Sequence, residues 1–339
     1  MVRSMYWLGC AWLLTTMTVS FASAQTQTTP QGGNTMQAEV VAYGGWNRCL
    51  RLTNGQIELL VTADVGPRVI RFGFLNGPNE FVEFAEDMGK TGGDTWRPYG
   101  GHRLWHAPEA KPRTYAPDNA PVQWAFADGE LQVTQPVEAS TGIQKQLFIR
   151  MDPAANRVQV RHRLTNKGLW PVTLAPWALS MMAPGGRVIV PQEEFRSHSD
   201  WLLPARPLVM WHYTNLADPR WTLSARYVQL RQDPGMPNPQ KFGTRVTAGW
   251  AAYHNGDRVF LKRFGLTPDA TYPDYGCNAE FFTNDAFLEV ESLGPVVTLE
   301  PDAAVDHEET WCLFKGVTVG ATDDAIDAAM TPLLQQSAR

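Results

Sequence analysis

Two histidines four residues apart, His102 and His106, stand in the segment YGGHRLWHAPEAKPRTY, and Glu109 follows them. On a helix, positions i, i+4 and i+7 share one face, and a His/His/Glu set placed so is a zinc-site pattern. Here Gly100 and Gly101 precede the pair, and Pro108 and Pro112 follow it. That punctuation argues against a helix, so the three ligands are not expected to converge. No Cys-x-x-Cys pair exists either, and no metal is predicted. A loop is the expectation, presenting His102, Arg103 and His106 beside Trp105. Histidine titrates near neutral pH and can serve as a general acid. The competing reading is two imidazoles held by backbone carbonyls in an ordered loop.

The second chemical signal is carboxylic. In FLEVESLGP, Leu288 and Val290 alternate with Glu289 and Glu291, so a strand would turn both acids to one face. Two carboxylates on one face repel, and one pKa should rise toward the range of a useful base. A solvated face with arginine partners is the alternative. Glu280 is a third candidate on a neighbouring segment. Arg68 and Arg71 follow a Val-Gly-Pro turn. A guanidinium there could fork to two hydroxyls or make a surface ion pair. His212 lies between Trp211 and Tyr213 and either acts in a site or packs its loop. His162 alternates with Val160 and Leu164 and reads as a core histidine; His307, among Asp306, Glu308 and Glu309, reads as surface.

These residues need elements to hold them. Strand-like runs recur at 56–61, 68–74, 122–127, 130–135, 143–151, 157–164, 257–264, 287–293 and 305–314, separated by turn residues. Many strands at short spacing predict an all-β sandwich or barrel. Only 322–337 has helical composition, and Pro332 should break or bend it. The stretches 76–119 and 191–223 lack alternation and read as long, functional loops. At the N-terminus, Arg3, an apolar run over 5–21 and small residues at Ala22 and Ala24 predict a signal peptide over 1–24, cut before Gln25. A disordered leader (25–37), a β-domain (38–316) and a helical tail (317–339) would follow. The expected location is periplasmic or secreted, with no membrane association after cleavage.

A net charge of −5 with no basic block argues against nucleic acid as a partner. Cys49, Cys277 and Cys312 would survive cleavage, an odd count that is no disulfide framework, though one bridge is possible. No serine-hydrolase elbow, P-loop or dinucleotide fingerprint is present, and no cofactor is expected.

Three segments carry a resemblance. TNGQIELLVTADVGPRVIRFGF (53–74), VRHRLTNKGLWPVTLAPWALSMM (160–182) and FLEVESLGPVVTLEPDAAVDHEETWCLF (287–314) resemble the opening, central strand pair and ending of the galactose mutarotase (aldose 1-epimerase) superfamily. Within it, the chain is similar to a bacterial family carrying GGHRLW, APW and LExESLGP. The resemblance implies a β-supersandwich of two large antiparallel sheets with a carbohydrate in the concave face. It also implies a glutamate and a histidine that open and close a sugar hemiacetal. Glu291 stands nearest in context to the superfamily's base. Typical members carry a histidine just after the central turn, where this chain has Trp177, so His102 or His212 would have to supply it. Arg68, Arg103, Trp105, His106, Trp177, Glu280 and Glu289 are the expected substrate-binding residues, with His102 facing Glu291. Three functions follow: a sugar epimerase or mutarotase, a non-catalytic carbohydrate-binding protein, or a polysaccharide lyase using Tyr115, His102 and Arg113. The lyase reading lacks room for the helical toroid such enzymes usually carry.

Overall fold

A computed structural model describes residues 36–338. The signal peptide and most of the leader expected from sequence lie outside the described residues. Strands are numbered along the chain. The first sheet runs, in spatial order, β1 (Glu39–Tyr43), β2 (Trp46–Thr53), β3 (Ile57–Thr62), β4 (Arg68–Phe74), β5 (His102–Ala107), β10 (Val172–Met182), β19 (Leu288–Leu293), β18 (Ala279–Thr283), β15 (Gln240–Thr244) and β12 (Val209–Met210), with β20 (Val297–Leu299) beside β10. The second runs β13 (Trp221–Leu223), β14 (Tyr227–Arg231), β11 (Arg187–Pro191), β16 (Trp250–Asn255), β17 (Arg258–Phe264), β21 (Ala304–Lys315), β9 (Arg157–Asn166), β8 (Ile143–Met151), β7 (Glu130–Thr134) and β6 (Gln123–Ala127). Both are antiparallel, as expected of a supersandwich.

Alternation makes the sandwich. Leu104, Phe281 and Val290 of the first sheet meet Val160, Phe260 and Trp311 of the second in one shared core. Each such side chain contributes about 1.5–3 kcal/mol when fully buried. The outer face of the second sheet is covered over β11, β14, β16, β17 and part of β21 by α2 (Asp323–Ser337); α1 is the short Pro273–Gly276 turn. Ile326, Met330 and Leu333 of α2 pack on Trp250, Leu261 and Cys312. Thr322 caps the helix by accepting from the Ala325 N–H at 3.4 Å. Of the two expected outcomes, a break and a bend, the break does not occur: the helix runs through Pro332. Pro332 and Ala328, whose carbonyl loses its partner, are both solvent-exposed, so water can take that bond, while Met330 and Leu333 hold the helix down on either side.

The strands expected from alternation are present, but 76–119 is not one loop. Its residues 102–107 form β5, a central strand with all six residues buried. Gly100 and Gly101, read as loop glycines, are required by close backbone approach. A Cβ would stand 2.0 Å from the Val82 carbonyl oxygen at Gly100, and 2.3 Å from that of Val69 at Gly101. Both have positive φ, +102° and +74°, a region open chiefly to glycine. The stretch 191–223 likewise contains the short edge strands β12 and β13.

Cys49, Cys277 and Cys312 are free and buried. The bridge allowed by the sequence does not form. Cys49 sits among Trp46 and Ile70, and Cys312 lies beneath α2. Burial pushes the Cys49 thiol up to about 12, Cys312 up to about 11, and Cys277 upward as well.

Candidate functional site

Among the described residues no long helix lies over the outer face of the first sheet, and its register assembles the chemistry. Directly paired residues share a face, so Arg68, Arg103, Leu179, Glu291, Glu280 and Gly243 form one row across β4, β5, β10, β19, β18 and β15. Met181, Glu289, Phe282 and Lys241 form the next row. Trp105, Trp177 and Leu293 form a third. Between them, His102, Ser180, Val290 and Phe281 point into the sandwich.

At the centre, Glu291 Oε2 accepts from Trp177 Nε1 at 2.7 Å and from Lys241 Nζ at 3.4 Å. Lys241 Nζ also lies 2.8 Å from Glu280 Oε2, an ion pair by distance whose angle is not that of a hydrogen bond. The ammonium sits over two indole rings, 4.8 Å from the Trp177 centroid and 4.5 Å from that of Trp211. Arg103 Nη2 donates to Glu289 Oε1 at 3.2 Å, and its guanidinium lies 4.4 Å from the Trp105 ring. Trp96 and Tyr115 pack on Trp105. Glu280 Oε1 and Glu291 Oε1 are buried without a hydrogen-bond partner. Unpaired acceptors of that kind cost stability and mark where a ligand's hydroxyl would be welcome.

Burial and the Glu291 charge push Glu289 up to about 7, against the pull of Arg103 and Lys241. Burial raises Glu280 well above the usual carboxylate range, with Lys241 opposing. Lys241 is held well above its ordinary value: burial works against the ammonium, but Glu280 and Glu291 outweigh it. A face with one carboxyl titrating near neutrality beside a fixed cation can exchange protons.

A pocket of about 290 Å³ opens over this face, its walls including Glu109, Lys111, Trp177, Trp211, Asp274 and Glu280. Larger hollows of about 620 Å³, 860 Å³ and 1120 Å³ lie elsewhere, the first on the strands of the second sheet and the other two among loops. None of them is lined by Glu280, Glu289 or Glu291, whereas the smaller pocket is lined by Glu280 and by Trp177, the hydrogen-bond partner of Glu291, so it is the candidate site.

The structure brings together Glu280, Glu289, Glu291, Arg103, Trp105 and Trp177 of the residues expected from sequence. The other four do not offer the site a free group. His102 faces the core, because β5 alternates and Arg103 takes the outer face. Its Nδ1 is 2.8 Å from Ser180 Oγ, and its Nε2 is 2.7 Å from His162 Nε2. His162 Nδ1 donates to the His307 carbonyl at 2.9 Å, so His102 Nε2–H donates to His162 and Ser180 donates to His102. His106 shares that inner face, with Nε2 3.7 Å from Glu138. His212 is an exposed turn residue, although its neighbours differ: Trp211 reaches Lys241, and Tyr213 packs on Phe282. Arg68 is spent on structure, donating to the Pro98 and Gly100 carbonyls and to Asp118. His162 is buried, as read, but His307 is not at the surface; its Nε2 lies 2.6 Å from Ser292 Oγ.

Lys241 was not singled out by sequence reasoning. A lysine between proline and glycine in PQKFG is ordinarily solvated, and only its pairing with β18 places it. One trio, His102, His162 and Glu309, brings ligand atoms within 4.8 Å. It does not suit a divalent ion. The two Nε2 atoms already share a hydrogen bond, Lys262 Nζ stands 2.9 Å from Glu309 Oε1, and Trp311 Nε1 donates to Oε2 at 2.7 Å. The ammonium already fills the cation's electrostatic role.

No protein-family model and no curated protein sequence matches the chain. Solved structures do resemble it, and they define its fold class as galactose mutarotase-like. A galactose mutarotase-like protein from Lactobacillus casei aligns over 78% of this chain and 100% of its own, at 10% identity and a TM-score of 0.53. A candidate aldose 1-epimerase from Klebsiella pneumoniae aligns over 88% and 87%, at 14% identity and 0.52. A TPR-domain containing protein from Parabacteroides distasonis matches over 81% of this chain but 49% of its own, at 13% identity and 0.52; this chain thus spans about half of that longer one. At such identities the likeness is one of fold.

Proposed function

We propose that the concave face of the first sheet binds a single saccharide unit and exchanges protons at its anomeric centre, as an aldose 1-epimerase does. The observation that carries this reading is the grouping of Glu280, Glu289, Glu291, Arg103 and Lys241 on one strand face walled by tryptophans. Sugars bind where a few fixed polar groups lie among flat apolar ones. A pocket of about 290 Å³ stands at the bottom of the ~300–1,000 Å³ range of small-molecule sites, which suits one ring rather than a chain.

The superfamily's glutamate–histidine pair is replaced here by two carboxyls. Glu291 is the base that takes the anomeric hydroxyl proton. Its other oxygen is anchored by Trp177 and faces Lys241, so the free Oε1 is the one that reacts. Glu289, raised to about 7, carries the proton delivered to the ring oxygen. Residues two apart on a strand lie about 6.5–7 Å apart, room enough for a C1 centre between their carboxyls. Rotation about C1–C2 then lets the ring-oxygen hydroxyl add to the other face of the aldehyde, returning its proton to Glu289 while Glu291 protonates the former carbonyl oxygen, and the other anomer results.

Non-catalytic binding is the second reading, favoured by His102 facing away from the pocket. Polarimetry of freshly dissolved α-D-galactose and α-D-glucose separates the two. Wild-type protein should accelerate anomer exchange, and Glu291→Gln should lose about 10²–10⁴ of that rate while still binding the sugar. Binding without acceleration supports the second reading; no binding of either sugar defeats both.

A further inference from the structure

The turn Pro273–Gly276 carries backbone strain at the pocket's edge. Asp274, Tyr275 and Gly276 all have positive φ, at +49°, +62° and +97°. Glycine adopts this region freely and aspartate tolerates it, but for a bulky aromatic residue it is an outlier. Strain of this kind persists only where the surroundings impose it. They do so here: the Cys277 N–H donates to the Pro273 carbonyl at 2.9 Å, the Cys277 thiol to the Asp274 carbonyl at 2.9 Å, and buried Tyr272 accepts from the Thr267 N–H at 2.8 Å. Both shoulders are fixed, and the tip is held in its unfavourable form.

Packing does not account for the residue at that tip. Tyr275 is 94% exposed, so its ring gives the fold almost nothing. Glycine or asparagine would take the same backbone at lower cost. Meanwhile Asp274, its neighbour, lines the candidate pocket together with Glu109 and Lys111.

Resting on the saccharide reading above, we propose that Asp274 and Tyr275 are the specificity element of the cleft. Asp274 accepts a hydrogen bond from a ring hydroxyl remote from the anomeric carbon. Tyr275 stacks its ring on the sugar's outer face, completing the aromatic wall begun by Trp177 and Trp211. The strained turn keeps a bare aromatic ring at the mouth, where no stable packing would otherwise place it.

The test combines calorimetric titration of D-glucose, D-galactose and D-mannose with thermal unfolding, on the wild type and on Tyr275→Gly, Tyr275→Asn and Tyr275→Phe. Removing the ring should weaken the tightest-bound hexose about tenfold, the equivalent of one lost stacking contact. The same two variants should melt higher, because they relieve the turn. Tyr275→Phe should bind like the wild type. The proposal is overturned if Tyr275→Gly and Tyr275→Asn melt higher yet bind as tightly, for then the strain serves no ligand. Either variant suffices should the other fail to fold. If the wild type binds none of the three hexoses, the saccharide reading fails and this inference falls with it, an outcome distinct from tight binding by every variant.

Discussion

Glu289 shows how placement sets chemistry at the level of one residue. Its carboxyl is buried beside Glu291, and Arg103 only partly offsets that cost, so it titrates near 7 rather than at 4.5. The protonated form is therefore favoured more in the folded chain than in the unfolded one. The stability this contributes is fully present below about pH 4.5 and is lost as pH rises through about 7. Glu289→Gln mimics the protonated form. Its melting temperature should match the wild type's near pH 4.5 and exceed it above pH 7. Equal pH profiles for the two proteins would show that the carboxyl is not raised. The same group should place an inflection near neutrality in any anomer-exchange rate profile.

At the scale of the element, β5 is the strand that joins core to cleft. Its inner face gives His102 and Leu104 to the sandwich, and its outer face gives Arg103 and Trp105 to the site. Gly101 lets it lie against β4. Gly101→Ala should therefore destabilise the fold by about 2–4 kcal/mol, from a disallowed φ and a clash with backbone that cannot yield. Urea unfolding measures it, and a change under 0.5 kcal/mol would mean the close approach is not real. This strand was also the least legible element. Alternation reveals strands with one wet face, such as β9, whose Arg157, Gln159, Arg161 and Arg163 turn outward between Val158, Val160, His162 and Leu164. Glu289 and Glu291 were legible too, although β19 is buried on both faces, because its apolar and acidic residues alternate strictly. In β5 both faces are buried, one of them by polar residues, and the Gly-Gly and Ala-Pro boundaries imitate a loop. Misplacing the strand turned His102 toward the site when the pleat turns it away. Lys241 was hidden differently. Burying it needs Glu280 and Glu291 from strands 39 or more residues further along the chain, and no local pattern reports a partner that distant.

The whole molecule divides its two outer faces between different tasks. In the second sheet α2 packs on β11, β14, β16, β17 and part of β21 and leaves β9 wet, while the first sheet is left to the loops and their aromatics. The sequence announced the strands and the closing helix. It could not say which sheet face would stay open, because that depends on where the tail docks. The cysteines of this assembly carry one more consequence. Each of the three described thiols lies in a different pocket of the fold, and the pKa of each is raised by burial. Thiolate, the form that oxidants attack, is therefore scarce at physiological pH. Unfolding in the presence and absence of dithiothreitol should give the same midpoint, and a shift of several degrees would reveal a bridge that the fold does not contain. Among the described residues, then, nothing needs an oxidant to mature or a reductant to survive, and the sandwich they form is indifferent to the redox poise around it.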